Sequence, residues 1–161
     1  MTQEHVGEHY LRWLNDPRVN RYLESRFATH SLESIADFVR SHGPGSGNHL
    51  FAIVAQPEGR HIGNIKLGPV SSQHRHGDIG ILVGEPEYWG LGHASVAIDL
   101  LTRFAFDVLG LHKVTAGCYG PNVGSRRAFE RAGFIVEGIR PSHYLCDGEF
   151  VDGVLMARIR P

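Results

Sequence analysis

Apolar residues recur at helical spacing over Tyr10, Leu11, Trp13 and Leu14, and the pattern stops at the turn signal Asn15-Asp16-Pro17, which predicts a short helix ending there. Val19 to Leu23 reads as a further helical turn. Ile35, Phe38 and Val39 form the apolar side of an amphipathic helix, N-capped near Thr29 or Ser31. The pattern then shortens. Leu50 to Ala55 and Ile62 to Leu67 are apolar runs with β-branched and aromatic members, and Pro57-Glu58-Gly59 between them predicts a hairpin. Gly77 to Gly84 is a third strand, with glycines where a bulge can sit. From Ala94, the residues Ala97, Ile98, Leu101, Phe104, Ala105 and Val108 recur every three or four positions and close at Gly110, as a packed helix does. Strand returns over Lys113 to Tyr119. A second helix runs from about Val123 to Ala132 and is stopped by Gly133. Phe134 to Ile139 and two runs flanking Asp147-Gly148 read as strands, the last two as a hairpin. The order is helices, antiparallel strands, then β-α-β-α-β-β. Gly43 to Gly47 is a loop, no repeat or domain boundary is visible, and residues 1–161 read as one domain.

Composition narrows the function. With 42% hydrophobic and 20% charged residues, the chain can bury a core. Sixteen Lys and Arg against 17 Asp and Glu leave a net charge of -1, so no global field draws it to nucleic acid or an anionic membrane. Cys118 and Cys146 are isolated, as in a reduced cytoplasmic protein, and neither points to catalysis. No window approaches the apolar length of a membrane span, and the start lacks the pattern of a signal peptide; a cytoplasmic location is expected. His74 and His76 alternate onto one strand face, but a closed metal site needs three or four ligands and no further cluster is evident, so no metal is expected.

The stretch that carries chemistry is Tyr88-Trp89-Gly90-Leu91-Gly92-His93-Ala94-Ser95, between a strand and the long helix. Glycines let a backbone approach a ligand closely, and the unpaired N–H groups of a helix start favour phosphate. A plain strand-to-helix turn is an equally ordinary use of Gly-x-Gly. No Lys-Ser or Lys-Thr follows, which disfavours a P-loop. A dinucleotide fingerprint needs an acidic residue at the end of the next strand, which here ends Cys118-Tyr119-Gly120.

In context, Trp89 to Ala94 resembles the Q/R-x-x-G-x-G/A acyl-CoA loop of the GNAT superfamily of N-acetyltransferases. Ala105-Phe106, Gly110 to Val114, Asn122, Ser125, Arg126 and Ala132-Gly133-Phe134 are similar to its ribosomal-protein and amino-sugar acetyltransferase branch. The likeness runs from about Tyr10 to the end. It implies an α/β fold with a mixed, mostly antiparallel central sheet flanked by helices. Two departures stand out. Trp89 occupies the position of Gln or Arg, and the family's first strand, which precedes the first helix, has no counterpart in the pattern here. An unpaired sheet edge invites a partner, and a homodimer is one way to cover it.

The resemblance further implies that acetyl-CoA, as co-substrate, lays its pantetheine arm along the strand at Ile81, Leu82 and Val83. Its pyrophosphate would rest on Gly90, Leu91, Gly92, His93, Ala94 and Ser95, with Asn122 and Ser125 ordering its amides and Arg126 meeting the adenosine phosphate. An attacking amine must lose a proton, and a carboxylate eleven residues ahead of the loop motif often serves the family as base; Asp78 matches. Glu85 and Glu87 are second choices. A backbone N–H near Val83, freed by a bulge at Gly80 or Gly84, would hold the developing oxyanion. The family's tyrosine acid corresponds to Phe129, so Tyr144, or Tyr119, takes that role or water does. Trp13, Tyr22, Arg26 and Tyr144 are the acceptor-site candidates, although Trp13 and Tyr22 also suit a core. With Arg18, Arg21 and Arg26 in the amino-terminal half, the preferred acceptor is a nucleotide-linked amino sugar. A protein amino terminus or a polyamine is the alternative, and a non-catalytic CoA-binding module is an alternative of another class.

Overall fold

The computed structural model describes residues 1–43 and 45–161. Pro44, within the loop predicted over Gly43 to Gly47, lies outside the described residues. Helix α1 (Glu8–Asn15) stops where the sequence says, because Asp16 leaves the helical region and caps α2 (Pro17–Asn20) by accepting from the Arg18 N–H, with Pro17 at the first helical position. A 3₁₀ turn over Glu24–Phe27 follows. Helix α3 (Leu32–Ser41) is capped by Ser31, whose hydroxyl accepts from Ser34 N–H at 3.2 Å while the Ser34 hydroxyl accepts from Ser31 N–H at 3.0 Å.

Strands β1 (His49–Ala55), β2 (Arg60–Ser71), β3 (His76–Val83), β4 (Lys113–Tyr119), β5 (Ile135–Cys146) and β6 (Glu149–Ile159) form one sheet of order β1-β2-β3-β4-β6-β5. Only the β3–β4 pairing is parallel, so the sheet is mixed and mostly antiparallel. No strand precedes His49 among the described residues, which leaves β1 at one edge. The two carboxy-terminal strand runs before Asp147 merge into the single twelve-residue β5, whose pairing with β6 is irregular between Arg140 and Tyr144. Asp147 and Gly148 turn the hairpin with φ of 53° and 86°, the two positive values of a type I′ turn.

The two faces of the sheet bury different clusters. Helices α4 (His93–Asp107) and α5 (Val123–Arg131) cover one face, where Ile62, Leu67, Ile79, Val114 and Met156 meet Ile98, Ala105 and Phe129. On the other face Tyr10, Trp13, Leu14, Ile35 and Val39 pack with Leu50 and Leu82. Trp13 is 1% exposed, and its indole N–H donates to Glu85 at 2.9 Å. Its ring lies where a Gly84 Cβ would stand, 2.0 Å from Cδ2, so residue 84 has room only for hydrogen. His9 Nε2 and His61 Nδ1, 2.9 Å apart, pack beside the same ring, and burial lowers the pKa of both histidines. No helix among the described residues is long and apolar enough to cross a membrane.

Candidate acyl-CoA and acceptor site

Strands β3 and β4 pair in parallel from His76/Lys113 to Ile79/Ala116 and then separate. Strand β3 continues to Val83 while still paired with β2, as Gly80, Ile81, Leu82 and Val83 oppose Lys66, Ile65, Asn64 and Gly63. Gly84 N–H bonds Ile62 C=O at 2.8 Å, which sets the alternation. The peptide groups of Gly80, Leu82 and Gly84 point to β2, and those of Ile81 and Val83 point into the gap left by β4. Two of the three residues expected to pair with the cofactor therefore offer backbone groups to it; those of Leu82 face β2. The gap needs no bulge. The one irregularity between β2 and β3 falls between Leu67 and Val70, away from Gly80 and Gly84. Those glycines serve close packing instead, Gly80 under the Lys66 side chain and Gly84 under Trp13.

An open groove of about 570 Å³ runs from this gap to the start of α4 and α5. Ile81, Leu82, Val83, Gly90, Gly92, His93, Ala94, Ser95, Asn122 and Ser125 all line it, as do Tyr22 and Arg18. Gly90 and Gly92 hold φ of 76° and 94°, a conformation glycine adopts without strain, and open space surrounds the missing Gly90 side chain. No side chain caps the first turn of α4, so its N–H groups remain available to an anion. These features fit acyl-CoA: a strand edge for amides, then a helix start for phosphates.

Three positions differ from expectation. Leu91 turns into a neighbouring apolar groove with Phe51, Val96 and Leu100, because the Gly-x-Gly turn throws its side chain outward. Arg126 pairs with Glu130 at 2.9 Å on the outer side of α5, one turn away; Arg127 and Arg131 line the groove instead. The Asn122 side-chain carbonyl accepts from Ser125 N–H at 3.1 Å as the α5 cap, so its amide nitrogen is the part left for a ligand.

Asp78 sits one rung before the strands part. Thr115, opposite it on β4, donates its hydroxyl to Asp78 Oδ1 at 2.8 Å. Burial raises the Asp78 pKa from its ordinary value, against the opposing influence of Thr115, Lys66 and His76. The alternatives are held by ion pairs, which Asp78 is not. Glu85 is 5% exposed and engaged by Arg12 at 2.7 Å, Arg60 at 2.8 Å and Trp13, while Glu87 pairs with Arg60 at 2.9 Å. Glu85, a second-choice base by sequence, instead ties α1 and β2 to the approach to the glycine loop.

Tyr144 reaches over β4 from the β5–β6 hairpin. Its ring stacks on Tyr119 at 4.1 Å, and its hydroxyl comes within 3.9 Å of where a Gly117 Cβ would be. A Cβ on Gly153 would stand 2.9 Å from its ring, so these two glycines make its slot. Burial raises its pKa, as does the Glu24 carboxylate, which keeps the phenol protonated. Tyr22 packs on Tyr119 at 5.7 Å. Arg26 donates to Tyr119 Oη at 2.8 Å and to Leu145 C=O at 2.6 Å, and the Tyr119 hydroxyl donates to Glu24. Arg26 is thus a strut between the amino-terminal turn and the hairpin. Trp13, enclosed by its own cluster, presents no surface to an acceptor. Phe129 is 2% exposed in the core beneath α5.

A family model of the acetyltransferase (GNAT) domain matches residues 1–135. The chain belongs to the GNAT acetyltransferase family. Within it, the chain is 24% identical over 145 residues to the spermidine N(1)-acetyltransferase of Vibrio cholerae, a match covering 88% of this chain and 83% of that protein. It is 29% identical over 100 residues to the uncharacterized N-acetyltransferase YoaA of Bacillus subtilis, covering 62% of this chain and 56% of that relative's length. In fold it is similar to the crystal structure of spermidine N-acetyltransferase from Vibrio cholerae in complex with CoA and spermine, with a TM-score of 0.81 at 21% identity over 93% of this chain and 87% of that one.

Proposed function

We propose that this chain is an acetyl-CoA-dependent N-acetyltransferase acting on a small primary amine, and that the amine is a polycation of the polyamine class. The observation that carries the acceptor class is the state of the arginines. Arg18 is bound to Asp16 at 2.7 Å, Arg21 to Asp147 at 2.5 Å, and Arg26 to Tyr119 and Leu145. Each cation that favoured a nucleotide-linked amino sugar already has an internal partner. The groups we assign to the acceptor side are instead aromatic and acidic: Tyr22 and Tyr144, which pack on the buried Tyr119, with the carboxylates of Glu24 and Asp78. Ring faces and carboxylates suit ammonium groups. A relative named for spermidine and a similar fold holding CoA and spermine support the same class. The sugar-nucleotide and protein-amino-terminus readings, which follow the ribosomal-protein and amino-sugar branch, are the alternatives.

Acetyl-CoA supplies a thioester carbonyl ready for attack. Ile81 and Val83 align the arm, and the Val83 N–H meets negative charge growing on the carbonyl oxygen. Asp78 takes the proton of the attacking nitrogen, directly or through one water. Tyr144 offers its proton to the leaving sulfur. With acetyl-CoA in excess, thiol release measured across spermidine, spermine, amino-sugar nucleotides and short peptides should show the highest kcat/KM for a polyamine. A sugar nucleotide at the head of that panel would overturn the acceptor assignment, and absence of turnover with any amine would favour a non-catalytic CoA-binding module.

A further inference from the structure

Trp89 stands where the acyl-CoA loop motif has Gln or Arg, and its side chain has a defined partner. The indole Nε1 donates to the Val83 carbonyl at 2.8 Å. That carbonyl is one of the groups that alternation along β3 turns into the gap between β3 and β4. The ring is 44% exposed and lines the groove between the strand end and the glycine loop. A polar group that closes a hydrogen bond on the floor of a ligand groove changes what the ligand can bond to.

We propose that Trp89 is a positioning residue for the pantetheine arm: its indole holds and shields the Val83 carbonyl, so that Val83 meets the ligand through its N–H, and an amide N–H of the arm is directed to the Ile81 carbonyl. This rests on the acetyl-CoA reading of the groove. A flexible chain bearing two amides and a thioester could pair with a strand edge in more than one register, and only one brings the thioester oxygen to the Val83 N–H. With one lone pair of the Val83 carbonyl held by the indole, a register that gives it an amide N–H must share the oxygen with that donor and fit beside the ring. Because Trp89 directly precedes Gly90, the same contact ties the end of the pantetheine track to the phosphate-binding turn. The geometry also gives the Trp at this motif position a use that does not depend on its backbone.

The test is CoA binding by calorimetry to the full chain and to Trp89→Phe and Trp89→Gln, with ligand-free melts as control. Phenylalanine keeps a ring but has no donor, so an arm lying over the Val83 carbonyl buries it without a partner, and the Kd should rise roughly tenfold. Glutamine restores an N–H donor and should bind within about threefold of the wild type, since a net hydrogen bond is worth about that factor or more. Unchanged affinity in Trp89→Phe would overturn the proposal, because the ligand itself would then be using the carbonyl. So would equal weakening of both variants, which would assign the effect to ring packing. Ligand-free melts unchanged from wild type separate positioning from folding. A wild type that binds no CoA would instead strike the acetyl-CoA reading, and this proposal with it.

Discussion

Asp78→Asn should lower kcat for acetyl transfer by about 10² to 10⁴, the usual range for a positioned general base, while leaving acetyl-CoA affinity within about twofold. Asparagine is nearly isosteric and its carbonyl still accepts from Thr115, now 2.8 Å from Asp78, so the local fold is retained. What is lost is the capacity to hold a proton. The pH dependence gives an independent check. Burial raises the Asp78 pKa above 3.8, and a carboxyl acts as base only after ionising. Wild-type activity should therefore fall as pH drops through that raised value and recover as pH rises past it. In Asp78→Asn this acid limb should disappear from the residual rate. Retention of full activity by the variant would remove Asp78 from the mechanism and leave proton removal to solvent.

Trp13→Ala should destabilise the amino-terminal half of the site, although Trp13 touches no acceptor. Trp13 is 1% exposed, and truncating a core Trp to Ala costs about 3–5 kcal/mol. Glu85 also loses one of its three donors. For a chain of this size each kcal/mol moves Tm by about 2–4 °C, so a drop of roughly 6–20 °C is expected. Trp13→Phe should fall between, since it keeps most of the packing but not the N–H to Glu85. A Trp13→Ala protein with unchanged Tm and a raised acceptor KM would contradict this assignment and return Trp13 to the binding site.

Parts of the fold were readable in the sequence and parts were not. Helix α4 was legible because its apolar positions repeat over four turns and a glycine ends each side. The Asp147-Gly148 hairpin was legible because that dipeptide suits two positive φ angles. Trp13 was not, because an aromatic at helical spacing reads the same whether it lines a pocket or fills a core. Only the approach of Gly84 and the buried Glu85 decides it. Arg126 and Arg127 differ by about 100° around α5, and the phase of a short polar helix is hard to set from sequence. The Arg126–Glu130 spacing of four was the signal that could have set it. The free edge of β3 arises from where a parallel pair parts, a tertiary property that no local pattern encodes. Arginine content pointed to phosphates because sequence counts charges without showing which are already paired.

The central claim is that the groove between β3, β4 and the start of α4 holds acetyl-CoA. A thermal melt of the wild-type chain with and without acetyl-CoA, with NAD as control, tests it most directly. A ligand at 100 times its Kd adds about 2.7 kcal/mol, which predicts a rise in Tm of roughly 5–11 °C with acetyl-CoA and none with NAD. No shift with acetyl-CoA, or an equal shift with NAD, would contradict the account.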